Sequence, residues 1–134
     1  MGDVTPIVKT GRKKGRKKSG PLVKCDTLFG QIVRSTGVCA GRCEGKPSGV
    51  LQCAHGFSRR YRATRWDERN AWCLCQGCHL YWTLRPLEWD DWMRSELGDT
   101  YDELRGLALN GRNPDMAETL TRLQARWDAL RSAA

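Results

Sequence analysis

The stretch Asn70-Ala71-Trp72-Cys73-Leu74-Cys75-Gln76-Gly77-Cys78-His79 decides how this chain folds. Ala71 to Leu74 reads as a short strand, and Gln76 to about Thr83 as a short helix closed before Pro86. The pair Cys75-x2-Cys78 falls at the joint between them. A second pair, Cys39-x3-Cys43, lies upstream in a turn-rich loop over 38–49. Four thiolates from two tight turns make a tetrahedral all-sulfur site, which zinc favours. Such a site has no open coordination position, so the expected Zn2+ is structural. It would tie the segment before a first strand to the start of the helix. The chain has seven cysteines, and an odd number in a reducing compartment argues against a disulfide framework. Cys73 is a possible substitute ligand, Cys25 and Cys53 are left over, and free buried thiols are the alternative to metal.

Both histidines of the chain lie inside this clamp. Val50-Leu51-Gln52-Cys53-Ala54 reads as a strand, and His55 ends it. His79 follows Cys78 on the helix. Between them runs an Arg-rich loop over 56–69, and Asn70 opens the second strand. Two imidazoles bracketing a basic loop in one clamped unit make a candidate reaction centre.

Outside the clamp, Asp26 is a predicted cap for a helix through about Ser35. Leu28, Phe29, Ile32 and Val33 would face the core, and Gly37 would stop it. From Pro86 the pattern is helical, with a break at Gly98-Asp99. Pro114 sits at an expected first helical position with Asn113 as cap. Met116, Leu120, Leu123, Trp127 and Leu130 then recur at spacings of four and three, as core packing or as a docking stripe. All six tryptophans lie after residue 65, and most are expected in the core.

The net charge of +8 is unevenly placed: +7 over 1–24, +4 over 25–75 and −3 over 76–134. Residues 1–24 offer no apolar face to bury and read as a disordered basic arm, in which Lys13, Lys14, Lys17 and Lys18 could bind phosphates. A solubilising tail is the other reading. Excess cation on the arm and on the cysteine-bearing segment suits a polyanion, most simply DNA. No run of about 18 apolar residues spans a membrane, and the N-terminus is unlike a signal peptide. The expectation is a cytoplasmic protein.

The order His55, Asn70, His79, with Cys75 and Cys78 set five and eight residues after Asn70, resembles the HNH endonuclease pattern N-x4-C-x2-C-H. The string Leu51-Gln52-Cys53-Ala54-His55-Gly56-Phe57-Ser58-Arg59-Arg60, followed by Arg65-Trp66-Asp67-Glu68-Arg69-Asn70, is similar to bacteriophage-encoded HNH proteins. The Arg-aromatic-Asp-x-x-Asn element also resembles the phage NinG/Rap recombination nucleases. The likeness covers about residues 39–83. It implies a ββα-metal fold and a hydrolase that cuts DNA phosphodiester bonds, with His55 as general base. His79 would hold a divalent ion such as Mg2+ or Mn2+, and Asn70 would pin the loop and orient His55. Arg59, Arg60, Arg62, Arg65 and Arg69 could grip flanking phosphates. Many members carry Asp or His just before the base as a second metal ligand. Here that residue is Ala54, and Asp67 or Glu68 on the loop could supply a hard oxygen ligand instead, Asp67 being preferred.

The expected architecture is therefore α+β: a basic arm over 1–24, a zinc-bound HNH domain over 25–97, and a helical extension over 98–134. The rival expectation is a zinc-stabilised DNA-binding module without cleavage. Phage packaging or recombination proteins are candidate partners, and the oligomeric state is open.

Overall fold

A computed structural model describes residues 20–43 and 46–133. Lys13, Lys14, Lys17 and Lys18 lie outside the described residues, as does most of the expected arm. The architecture is α+β and mostly helical, around one two-stranded sheet.

Helix α1 (Pro21–Arg34) starts five residues before the expected Asp26 cap. Pro21 provides the reason: its fixed φ suits the first helical position, and Gly20 precedes it as N-cap. Residues 21–24 thus belong to the helix and not to the arm. The helix ends as expected, with Gly37 in the left-handed region at φ 68° and its N–H donating to the Arg34 carbonyl.

Strands β1 (Leu51–His55) and β2 (Ala71–Cys75) pair antiparallel, with Leu51 opposite Cys75, Cys53 opposite Cys73 and His55 opposite Ala71. The connection expected as loop holds a single helical turn, α2 (Arg62–Arg65), and a 3-10 turn over Glu68–Asn70. Helix α3 (Gln76–Thr83) follows β2 directly. Then come α4 (Pro86–Leu97), α5 (Thr100–Asn110) and α6 (Met116–Ser132). Asp115, not Asn113, caps α6: its side chain accepts from Glu118 N at 2.9 Å, and Pro114 stands just outside the helix.

Alternation along the strands sends side chains to both faces of the sheet, and each face has its own apolar cluster. On one face Leu51, Cys53, Ala71 and Cys73 meet Phe29, Ile32 and Val33 of α1. Leu123 of α6, wholly buried, closes this cluster, with Leu120, Trp127 and Leu130 packed at its edge. The α6 stripe is therefore core packing. Burial of one such leucine contributes roughly 1.5–3 kcal/mol. On the other face Ala54, Leu74 and Cys78 meet a tryptophan cluster, Trp72, Trp82, Trp89 and Trp92, from β2, α3 and α4. Trp89 and Trp92 stack at 5.1 Å, and Trp72 meets both edge-on. Among the described residues no helix is long and apolar enough to cross a membrane.

Candidate functional site

The four cysteines of the two pairs converge. The sulfurs of Cys39, Cys43, Cys75 and Cys78 all lie within 4.8 Å of one another, and all seven cysteines are free of disulfides. A zinc–sulfur tetrahedron with bonds of about 2.3 Å has edges of roughly 3.8 Å, a spacing within that bound. Backbone N–H groups already point at the sulfurs. Cys75 N and Gly41 N donate to Cys39 Sγ at 3.1 and 3.3 Å, and Cys78 N donates to Cys75 Sγ at 3.5 Å. Such donors favour the thiolate, the form that binds metal. Gly41 is required by space: a Cβ there would sit 2.8 Å from Cys78 Sγ. The Ala40 N–H donates to the Cys73 carbonyl at 2.8 Å and fixes the first turn against β2. The group could hold a zinc ion. Cys73 itself faces α1 and is not part of it.

The two histidines reach one cavity from different elements. His55 ends β1, His79 lies on α3, and both line a space of about 200 Å³ walled by Ala54, Leu74, Trp82, Pro86 and Trp89. His55 Nε2 donates to the Arg65 carbonyl at 2.8 Å, because a carbonyl oxygen only accepts. Its Nδ1 is then the basic nitrogen. Burial holds the His55 imidazole below the usual histidine pKa, so it is neutral at pH 7. Its ring also packs on Phe29 at 5.5 Å between centroids. His79 Nδ1 donates to Gln52 Oε1 at 2.7 Å, which leaves Nε2 with its lone pair. The indole N–H of Trp82, in the same wall, is buried with no hydrogen-bond partner among the described residues.

Asn70 is wholly buried and holds the loop shut. Its Oδ1 accepts from Phe57 N at 2.7 Å, and its Nδ2 donates to the carbonyls of Phe57 and Thr64 at 3.1 and 3.0 Å. Phe57 lies two residues after His55, and Thr64 just before Arg65, whose carbonyl holds His55. Gly56 passes between them with no room for a side chain: a Cβ would lie 2.8 Å from Trp72 and 2.9 Å from Asn70 Oδ1.

Asp67 is a correction. Its carboxylate accepts from Arg69 Nε and Nη2 at 3.1 and 2.8 Å and from Arg69 N at 3.0 Å. It lines a separate pocket with Pro114 and Arg122, not the histidine cavity, so it cannot complete a metal site with His79. Its place at the head of the 3-10 turn explains this, since the carboxylate caps that turn.

The five loop arginines divide. Arg65, largely buried, is forked onto Asp26 with contacts of 3.0 and 2.6 Å, and Arg59 joins the same carboxylate at 3.0 Å. Arg69 is paired with Asp67 and Glu103. Arg60 and Arg62 are exposed. Sequence reading missed Asp26 and Gln52. Asp26 also accepts from Trp66 Nε1 at 3.0 Å and so gathers the loop onto α1. Both contacts join segments more than 25 residues apart, and no local pattern announces either contact.

No family model, curated protein or solved structure matches this chain.

Proposed function

We propose that this protein is a metal-dependent DNA endonuclease of the HNH type, and that β1, β2 and α3 are its ββα-metal core. One observation carries the reading: His55 from β1, its imidazole neutral and oriented, and His79 from α3, its imidazole oriented, are lining residues of a common cavity. Zinc on the four cysteines is the structural ion that holds β2 and α3 against the upstream loop.

In this reading the scissile phosphodiester enters the cavity. His55 Nδ1 takes a proton from water, and the hydroxide attacks phosphorus as the bond to the 3′ oxygen breaks. The Arg65 carbonyl keeps His55 in the productive tautomer, and Asn70 keeps that carbonyl in place. The unpaired Trp82 N–H is suited to an acceptor oxygen of the substrate. His79 Nε2, steadied by Gln52, is the group that would hold a divalent ion such as Mg2+ or Mn2+. Bound there, such an ion supplies charge relief on the phosphate and on the departing oxygen. Exposed Arg60 and Arg62, with the lysines at 13, 14, 17 and 18, add phosphate affinity. Phage packaging or recombination proteins fit as partners.

A second reading, a zinc-stabilised DNA-binding module, is favoured by Ala54, which brings no ligand to the cavity beside His79. Plasmid cleavage with added Mg2+ or Mn2+ separates the two. The nuclease reading expects nicking by the wild type and its loss in His55→Ala with DNA binding retained. No nicking with any divalent ion, or undiminished nicking by His55→Ala, refutes it.

A further inference from the structure

His55 lines a second space, on the α1 side of the sheet. This pocket of about 310 Å³ lies between α1 and the loop after β1, and Arg34, Gly30, Cys53 and Arg59 share its wall. Arg34 is exposed on the last turn of α1 and makes no ion pair among the described residues. Its guanidinium lies back over Gly30: a Cβ at that glycine would stand 2.7 Å from Arg34 Nη1. The missing side chain thus lets Arg34 fold along its own helix toward the pocket. Asp26, the one acid among the described residues of the wall, is already saturated by Arg65, Arg59 and Trp66. Arg34 and Arg59 share the wall with Asp26, and with Arg65, which is forked onto that carboxylate from outside the wall, the group's formal charge is +2. Cys53 adds no negative charge, because burial pushes its thiol up to about 11.

A pocket with this surplus, floored by the proposed general base, is suited to a phosphate. We propose that it binds the backbone phosphate next to the scissile one, with Arg34 and Arg59 as donors. The strand then runs across His55, from the tryptophan side of the sheet to the α1 side. The inference rests on the nuclease reading and adds to it the track of the substrate.

The test is binding of the full chain to a fluorescent DNA duplex, without added divalent ions, over a range of salt. One lost phosphate contact weakens binding about eightfold at 0.1 M salt and lowers the salt slope by about one. Arg34→Ala is expected to do both with an unchanged melting temperature, and Arg34→Lys to recover the slope. Equal affinity and slope in Arg34→Ala overturn the pocket and leave the nuclease reading standing. A loss of affinity with no change of slope also overturns it, as an indirect structural effect. A wild-type chain that binds DNA with this Arg34 dependence but cuts nothing keeps the pocket and sinks the nuclease reading. A wild type that binds no DNA ends both.

Discussion

His55 Nε2 lies 2.8 Å from the carbonyl oxygen of Arg65, across a loop whose two ends Asn70 joins. That bond fixes which ring nitrogen is basic before any substrate arrives. Burial then keeps the ring neutral.

The pH dependence follows with its sign. A histidine pKa lowered in the folded state means the unfolded chain binds the proton more readily. His55 therefore contributes stability above the usual value of 6.5, and that contribution is lost as pH falls from there through the depressed folded value. The base form survives over the same window. The acid limb of cleavage kcat/KM should have its midpoint below 6.5, and a limb at or above 6.5 would show that His55 is not the base.

Asn70 should be less replaceable than its size suggests. Asn70→Ala takes the acceptor from the half-buried Phe57 N–H, at about 1–3 kcal/mol for the unsatisfied group, and one donor from the buried Thr64 carbonyl, which keeps Asp67 N. Asn70→Asp keeps the acceptor toward Phe57 N but sets oxygen against the carbonyls of Phe57 and Thr64. Denaturant melts should find both variants destabilised, Asp included. An Asp variant as stable as wild type would mean that the amide donors do nothing.

Metal analysis should find one zinc per chain. Chelation or Cys78→Ser should lower the melting temperature and free the loop carrying Cys39 and Cys43. Gly41→Ala, which crowds Cys78 Sγ, should weaken zinc binding while leaving all four ligands present. A melting temperature indifferent to zinc would refute the structural role.

Ala54 faces the histidine cavity and is buried. Ala54→Asp places a carboxylate beside His79, which costs stability when unpaired and suits a hard ion when paired. The variant should melt lower than wild type without divalent ions and regain stability with Mg2+. An Mg2+ response no larger than that of wild type would place the ion elsewhere.

The α6 stripe offers a fold test away from the chemistry. Leu123→Ala removes a wholly buried side chain and should cost about 2–5 kcal/mol. Val23→Ala, at a half-exposed position on α1, should stay within about 0.5 kcal/mol. Equal effects would mean that α6 does not pack as described.

The four-cysteine group was legible because its members come as two local pairs, whose spacing carries the chemistry. The strand–helix joint at Cys75 and the α6 stripe were legible for the same reason, being periodicities within one element. What escaped reading depends on distant partners. Asp26 looks like a helix cap until Arg59, Arg65 and Trp66 arrive from some 33–40 residues away. Asp67 looks like a spare metal ligand until Arg69 and its own turn take both oxygens. Gln52 carries no motif, and only the packing of α3 on β1 shows that it holds His79.

The central claim is that the two imidazoles share one space, and the chain helps by having no other histidine. Nitrogen-detected spectra of the tag-free protein, titrated with substoichiometric Mn2+, report on both rings at once. The account predicts that His79 and His55 broaden together, and that His79→Ala abolishes the broadening of His55. Broadening confined to His79, or an unchanged response of His55 in His79→Ala, would contradict it.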